Sequence, residues 1–516
     1  MILKLIYQKN TTGDSIIEHF EKSWTMLDHY KFEMNGKKYH EISVERGNDN
    51  FNLVINDIRA IMNSMDRENC ADILSLNDID VDFSESRLMN KSYEILIFNM
   101  SVISVNQIIS SKTTVTNKYI NEKQVSKVCE LAKKALNLLG LDYAMIKINT
   151  NGQRKFSVTG INASPIIRDK DLHAMLEELE DTIKQYVKEQ NHKPEIKLGA
   201  DPEFMISNSR TEKMIPASEF FPRDGIVGCD NIRIPRRQQR PIGELRPQPD
   251  ISPIILQENL KSALEQANKL VPYKNIKLLA GSQPFPGYSI GGHIHFSNLP
   301  LNSHSLRALD NYLGLTVFLL ENQQTSVKRR RKYGHLNDYR TKDYGGFEYR
   351  TPGSWLVTPE ISLAVLCLAK LVGNNYSQLR HNFFLSVNAH RAFYRGDAHY
   401  FRVQFDDLWH DLKKLDDYKT YSKELEIIPR MIRQNQTWDE NMDLRKSWHL
   451  SRNYSKKYTP AKGNVISASN YSSRVNNQTT ISRRSANNSR PAMRASTSVA
   501  TYQSPNQGRN IRSAQI

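Results

Sequence analysis

The stretch GGHIHF, Gly291 to Phe296, sets two histidines one residue apart between glycines and a phenylalanine. Side chains at i and i+2 of a strand share a face. His293 and His295 therefore point together, while Ile294 and Phe296 point to the opposite side. The habit recurs three times. GADPEF pairs Asp201 with Glu203, IGELRP pairs Glu244 with Arg246, and GGFEYRTPGSW pairs Glu348 with Arg350. One H-x-H is ordinarily a solvated strand face, and one E-x-R a same-strand salt bridge. Four such pairs within about 150 residues predict neighbouring strands of one curved sheet with their polar faces converging.

Converging carboxylates raise one another's pKa unless cations lie between them. Bound metal resolves the conflict, with Asp, Glu and His as ligands. Oxygen-rich ligands with at most one imidazole suit Mg²⁺, or Mn²⁺, whereas zinc takes more nitrogen and sulfur. Just before the Glu348 strand runs KRRRKYGHLNDYRTK, Lys328 to Lys342, a loop-like and strongly basic stretch. Arginine forks suit phosphate oxygens, and metals beside arginines suit phosphoryl transfer from a nucleoside triphosphate. The other reading of this run is a solvated loop or a nucleic-acid patch. No G-x-x-x-x-G-K-[ST] or G-x-G-x-x-G loop occurs, so bound phosphates would rest on metals and arginines.

The 516 residues suffice for two or three domains. A boundary falls near NHKPEIKLG (191–199), after the amphipathic helix pattern DLHAMLEELEDTIKQYVKEQ. Residues 1–190 are expected to form an α/β domain and 195–450 the domain with the paired strands. The latter opens with short strands and one helix and becomes mostly helical after about residue 360. From Ser451 onward there are eleven Lys and Arg and no Asp or Glu, which leaves +5 of the +16 net charge for the preceding 450 residues. That tail, 451–516, is rich in Ser and Asn and is expected to be disordered. It is either a polyanion-binding arm or a solubilising one. Cys70, Cys129, Cys229 and Cys367 form no C-x-x-C pair and read as reduced thiols. ISLAVLCLAKLVG from Ile361 is too short for a membrane span and reads as a buried helix. With no secretory signal visible in MILKLIYQKN, a cytoplasmic protein without membrane contact is expected.

The second half of the first domain reads as a strand pair (YEILIFNMSVISVNQII), a helix ending in glycine (EKQVSKVCELAKKALNLLG), a strand (YAMIKIN), a turn (NGQRK) and a strand (FSVTGIN) before ASP. This order resembles the last third of an ATP-grasp domain. Lys147 and Gly160 stand where that family places magnesium-binding acids, and only Asn162 and Pro165 fit. The resemblance implies a degenerate ATP-grasp-like domain serving as scaffold or substrate-presenting unit. An unrelated α/β domain with the same element order is the alternative.

The ordered set GADPEF, GELRP, GGHIHF and FEYRTPGSW resembles the carboxylate–amine ligases (amidoligases) of the glutamine synthetase and glutamate–cysteine ligase superfamily, closest to the phage-type COOH–NH2 ligases. The resemblance spans about residues 196–360, and onward to about 450 with the helices. It implies an α+β protein whose C-terminal half is a glutamine-synthetase-like curved antiparallel sheet binding ATP and divalent metal. Asp201, Glu203, Glu244, His293 and Glu348 match metal positions. Arg350 matches a residue stabilising the transferred phosphoryl group, and Arg340 one reaching the γ-phosphate. His295 matches a position nearer the substrate and joins Arg246, Arg330 and Arg331 as the expected cofactor-binding set. Asp230, in GCDN, matches a further ligand or the group receiving the amine's proton. The implied reaction is ATP-dependent amide formation through an acyl phosphate, in the cytoplasm of a bacterial or phage-infected cell, on an acid and an amine (amino acid, peptide or protein). Two other readings stand beside it. One is a catalytically inactive assembly protein retaining the fold; the other is phosphoryl transfer to a guanidino or other nitrogen acceptor.

Overall fold

The computed structural model describes residues 1–47, 52–84, 91–111, 114–150, 155–191, 193–451, 454 and 456–459. The first strand, β1 (Ile2–Gln8), sits inside a four-stranded sheet with β2 (Thr25–Met34), β3 (Lys37–Glu45) and β4 (Asn52–Ile55), in the order β2-β3-β1-β4. β1 and β4 run parallel and the other pairs antiparallel. The parallel pair requires a crossover, and the chain between them includes the helix Thr12–Glu21, which buries Ile16, Ile17 and Phe20.

A second, antiparallel sheet contains β5 (Lys91–Phe98), β6 (Ser101–Ser110), β7 (Val115–Ile120), β8 (Tyr143–Thr150) and β9 (Phe156–Asn162), in the order β7-β6-β5-β8-β9. The helix Ser126–Leu138 packs on it and is followed by Gly140 at φ +77°, a left-handed turn that admits glycine freely. Strand, helix, glycine and strand thus follow in the expected order; residues 151–154 of the expected turn lie outside the described residues. Lys147 and Gly160 face each other across β8 and β9, and Lys147 Nζ lies 3.8 Å from Glu94. Lys147, at one of the two positions where the resemblance expects an acid, thus faces a carboxylate of the neighbouring strand.

The third sheet has eight strands. They are β10 (Lys197–Asn208), β11 (Met214–Ile215), β12 (Val227–Cys229), β13 (Ile242–Leu245), β14 (Ile276–Leu279), β15 (Gly292–Ser297), β16 (Tyr339–Thr341) and β17 (Phe347–Tyr349). All pair antiparallel in the order β12-β13-β10-β15-β17-β16, with β11 and β14 also on β10. The four strands bearing polar pairs are therefore consecutive neighbours, β13-β10-β15-β17. Their apolar sides face the core, where Phe296 stacks on Phe347 with ring centroids 5.5 Å apart. Two helices close that core, Pro253–Leu270 and Pro359–Asn375. Each starts on a hydroxyl cap followed by proline, Ser252 and Thr358 accepting from the third helical N–H. The α+β class is the one the sequence predicts. No helix among the described residues is long and apolar enough to cross a membrane, and all four cysteines are buried and free.

The basic run departs from expectation. Lys328 and Arg329 end a helix, Gln323–Arg329, capped by Asn322, and Tyr339–Thr341 form β16. Only the middle of the run is loop.

Met1–Ser467 form one compact unit, and Ala468–Ile516 a second that lies outside the described residues. The expected disorder of the tail falls largely on residues outside the described set. Its first part is docked: the Tyr454 hydroxyl donates to Asn268 Oδ1 at 2.7 Å, and Tyr458 N–H to Asn275 Oδ1 at 2.7 Å.

Candidate active site

Register decides which side chains meet. Asp201 lies opposite His293 and Gly199 opposite His295 on β10 and β15. Glu203 lies opposite Glu244 on β13, His295 opposite Glu348 on β17, and Glu348 opposite Arg340 on β16. Together they line one cavity of about 960 Å³. Gly199 leaves room in this crowding, since a Cβ there would come 3.3 Å from His295 Cβ and 3.4 Å from Pro249 Cβ.

Asp201 receives both histidines, His293 Nδ1 at 3.3 Å and His295 Nε2 at 3.0 Å. His293 Nδ1 also lies 3.2 Å from Glu348 Oε1, so one imidazole bridges two carboxylates. Glu348 is surrounded by cations: Arg350 Nε at 3.1 Å, Lys342 Nζ at 2.5 Å and Arg340 Nη1 at 3.6 Å. Arg350 also faces Asp338 at 3.6 Å. Gly291 N–H donates to Glu203 Oε2 at 2.7 Å, and Tyr344 OH lies 3.0 Å from His295 Nδ1.

Burial and charge split the acids into two kinds. Burial pushes Glu203 up to about 7, with the neighbouring Asp230 and Asp201 charges adding to it. Burial and then the Asp201 charge push Glu244 up to about 8, against the pull of Arg246. For Asp201 burial also opposes ionisation, but the adjoining His293 and His295 imidazoles outweigh it and hold the carboxyl far below its ordinary value. Burial works against the His293 cation, yet Asp201 and the surrounding acids raise it to about 9. Glu348 stays lowered despite its burial and the Asp201 charge, because His293 and Lys342 favour the anion.

The donor set fits a divalent cation. Asp201, His295 and Glu348 each offer an atom within 4.8 Å of the others. Buried Asp201 Oδ1, His295 Nε2 and Glu348 Oε2 make no hydrogen bond among the described residues and have only the ion-pair contacts given above. Two carboxylates and one imidazole are the hard, oxygen-rich set that Mg²⁺ or Mn²⁺ accepts.

Of the residues the sequence predicts, Asp201, Glu203, Asp230, Glu244, Arg246, His293, His295, Arg340, Glu348 and Arg350 all line the cavity. Arg246 is engaged by Glu244 and by the carbonyls of Arg223, Gly225 and Cys229, so it braces the loop as well as lining the wall. Of the two histidines, His295 rather than His293 joins the three-residue cluster, because the register puts it between Gly199 and Glu348. Arg330 and Arg331 are not brought in. Arg330 is buried, paired with Glu321, with its guanidinium 4.9 Å from the Phe318 ring centroid and 4.4 Å from that of Phe393; Arg331 is exposed. Arg330, at the C-cap of the helix Gln323–Arg329 and still in a right-handed helical conformation, points into the core instead of the cavity. The arginine of this run that does line the cavity is Arg329, whose guanidinium donates to the carbonyls of Thr351 and Arg350. Asp338 and Lys342 also line the cavity without having been singled out. The signal was present: Asp338, Arg340 and Lys342 continue the same i, i+2 alternation.

The family model described as "Phage phiEco32-like COOH.NH2 ligase-type 2" matches residues 198–450. No curated protein matches the chain. Among solved structures it is similar to the ATP-grasp ligase PsnB complexed with minimal precursor, at 13% identity and TM-score 0.21, covering 25% of this chain and 65% of that one. It is similar to a bifunctional glutathione synthetase from Pasteurella multocida, at 9% identity and TM-score 0.32, covering 51% and 54%. Plasmodium falciparum glutamine synthetase is similar at 10% identity and TM-score 0.25, covering 59% and 77%. The chain thus spans less than two thirds of the first two.

Proposed function

We propose that this protein is an ATP- and Mg²⁺-dependent carboxylate–amine ligase of the cytoplasm, forming a peptide or isopeptide amide through an acyl phosphate. The observation that carries the reading is the cluster of Asp201, His295 and Glu348 donor atoms, unsatisfied by hydrogen bonds, beside the cations of Arg340, Lys342 and Arg350. Asp201, His295 and Glu348 would hold the metal, with Glu203 and Glu244 close by. A bound divalent cation supplies Lewis acidity, drawing charge from phosphate oxygens.

Arg350 and Arg340 stabilise the charge that builds on the γ-phosphoryl oxygens. A substrate carboxylate oxygen bonds to the γ-phosphorus, and the bond from that phosphorus to the bridging oxygen breaks, releasing ADP with the electron pair. A neutral amine then bonds to the acyl carbon, the carbon–oxygen bond to phosphate breaks, and inorganic phosphate leaves. Asp230, on the cavity wall, takes the amine's proton. Residues 1–190, with Lys147 and Gly160 in place of acids, act as a non-catalytic domain beside the ligase domain of 195–450.

The test is ADP and phosphate release from ATP and Mg²⁺ in the presence of a panel of amino acids and peptides, compared with Glu348→Gln. Turnover that requires the metal, an acid and an amine, and is lost in the variant, supports ligation. Absence of both Mg²⁺–ATP binding by calorimetry and turnover would leave the assembly-protein reading in its place.

A further inference from the structure

The segment carrying Asp338 and Arg340 is gripped from outside the ligase domain. We propose that Asn137 and Glu130, on the helix Ser126–Leu138, are positioning residues that set the place of Asp338 and Arg340 in the cavity. The catalytic consequence rests on the ligase reading above; the placement rests on geometry alone.

Asn337 is buried at φ +56°, a conformation asparagine tolerates better than most L-residues. Its side chain is what holds it there. Asn137 Nδ2 donates to Asn337 Oδ1 at 3.0 Å, and Asn337 Nδ2 donates to the Lys134 carbonyl at 3.4 Å. Its N–H donates to buried Asp310 at 2.9 Å. On one side, Leu336 N–H donates to Tyr394 OH at 3.0 Å, and that hydroxyl in turn donates to Asn77 Oδ1. On the other side, Tyr339 OH donates to Glu130 Oε2 at 2.9 Å. Lys134 Nζ closes the set on the Asn77 carbonyl at 3.2 Å. The first 140 residues thus supply Asn77, Glu130, Lys134 and Asn137 to a four-residue run.

Alternation gives this grip its effect. Asn337 and Tyr339 meet the helix, while Asp338 and Arg340 line the cavity. Asp338 meets Arg350, and Arg340 meets Glu348. The Arg340 side chain is 57% exposed, so its aim depends on the backbone beneath it. A displacement of about 1 Å in such a group costs on the order of a hundredfold in rate. The helix therefore fixes the phosphate-facing wall without touching a reacting atom.

The test uses the full chain with Asn137→Ala and Tyr339→Phe, and Ser101→Ala as a control in the same domain, where Ser101 Oγ donates to Glu178. Hydrogen exchange of the peptide 334–342 reports placement. Steady-state kinetics with ATP report its effect, alone and with Arg340→Met. The expected result is exchange about tenfold faster in 334–342 for both variants, with melting temperatures no more than a few degrees below the control. Turnover should fall about tenfold with the KM for ATP within about twofold, and the loss should nearly vanish when Arg340 is already methionine. Unchanged exchange would overturn the placement. Faster exchange with a kinetic loss that adds fully to that of Arg340→Met would reduce the helix to a structural support. If the unmodified protein turns over no ATP, the ligase reading fails by itself, and exchange alone decides whether the grip exists. Should Asn137→Ala fail to fold, Tyr339→Phe carries the same comparison.

Discussion

Glu348 gathers more charge than any other acid in the cavity, with His293, Arg340, Lys342 and Arg350 all within 3.6 Å. Glu348→Gln keeps the shape and removes the anion. It is expected to lower metal-dependent ATP turnover at least about a hundredfold while the melting temperature stays near that of the parent. Glu203 and Glu244 make a second prediction at this scale. Without divalent metal, the folded chain keeps protons on these two carboxyls up to about 7 and about 8, whereas the unfolded chain has released them by about pH 5. Their contribution is therefore full below the ordinary carboxyl range and lost as pH rises through 7 and 8. His293, raised to about 9, runs the same way above its ordinary value. Metal-free protein should melt at a higher temperature at pH 6 than at pH 8. Mg²⁺, competing with these protons, should raise the melting temperature more at pH 8. An equal metal effect at both pH values would contradict the assignment.

Strands and helix ends carry the next set of consequences. β15 lies so close to its neighbours that a Cβ on Gly292 would meet the Gly353 carbonyl and Trp355 Cδ1 at 2.5 Å. Gly292→Ala should destabilise by about 1–3 kcal/mol in chemical denaturation. Arg330 pairs with fully buried Glu321, which also accepts the Gly353 N–H at 2.8 Å. Arg330→Met leaves that carboxylate unpaired and should cost about 3–5 kcal/mol, whereas exposed Arg331→Ala should stay within about 0.5 kcal/mol. This contrast shows where sequence stops being legible. Paired polar positions at i and i+2 need only the strand period, so the sheet and eight of its cavity residues are legible in GADPEF, GELRP, GGHIHF and FEYRTPGSW. KRRRK has no period of its own. Which of its arginines turns into the core is settled by tertiary packing around Phe318 and Phe393.

Across the whole molecule, the decisive contacts join distant parts of the chain. Arg307 pairs with Asp142 at 2.7 Å, and Asn63 Nδ2 donates to the Leu385 carbonyl at 2.7 Å. No short motif announces such pairs, because each partner is an ordinary polar residue by itself. The docked segment after Leu450 is of the same kind, with Tyr454 on Asn268 and Tyr458 on Asn275. Truncation after Thr459 should leave the melting temperature unchanged. Truncation after Leu450 should lower it by several degrees, since losing two buried-partner tyrosines costs on the order of 2 kcal/mol. Differential scanning calorimetry of both truncations checks the pair.

Asn137 and Asn337 meet although 200 residues separate them. A ribosome releases the earlier partner long before the later one, and domains generally fold in the order they emerge. The helix Ser126–Leu138 has then left the ribosome well before Asn337 does. The cavity wall that carries Asp338 and Arg340 is then closed late, and a nascent chain has no finished cavity until Arg350, the last residue of its lining, has been made.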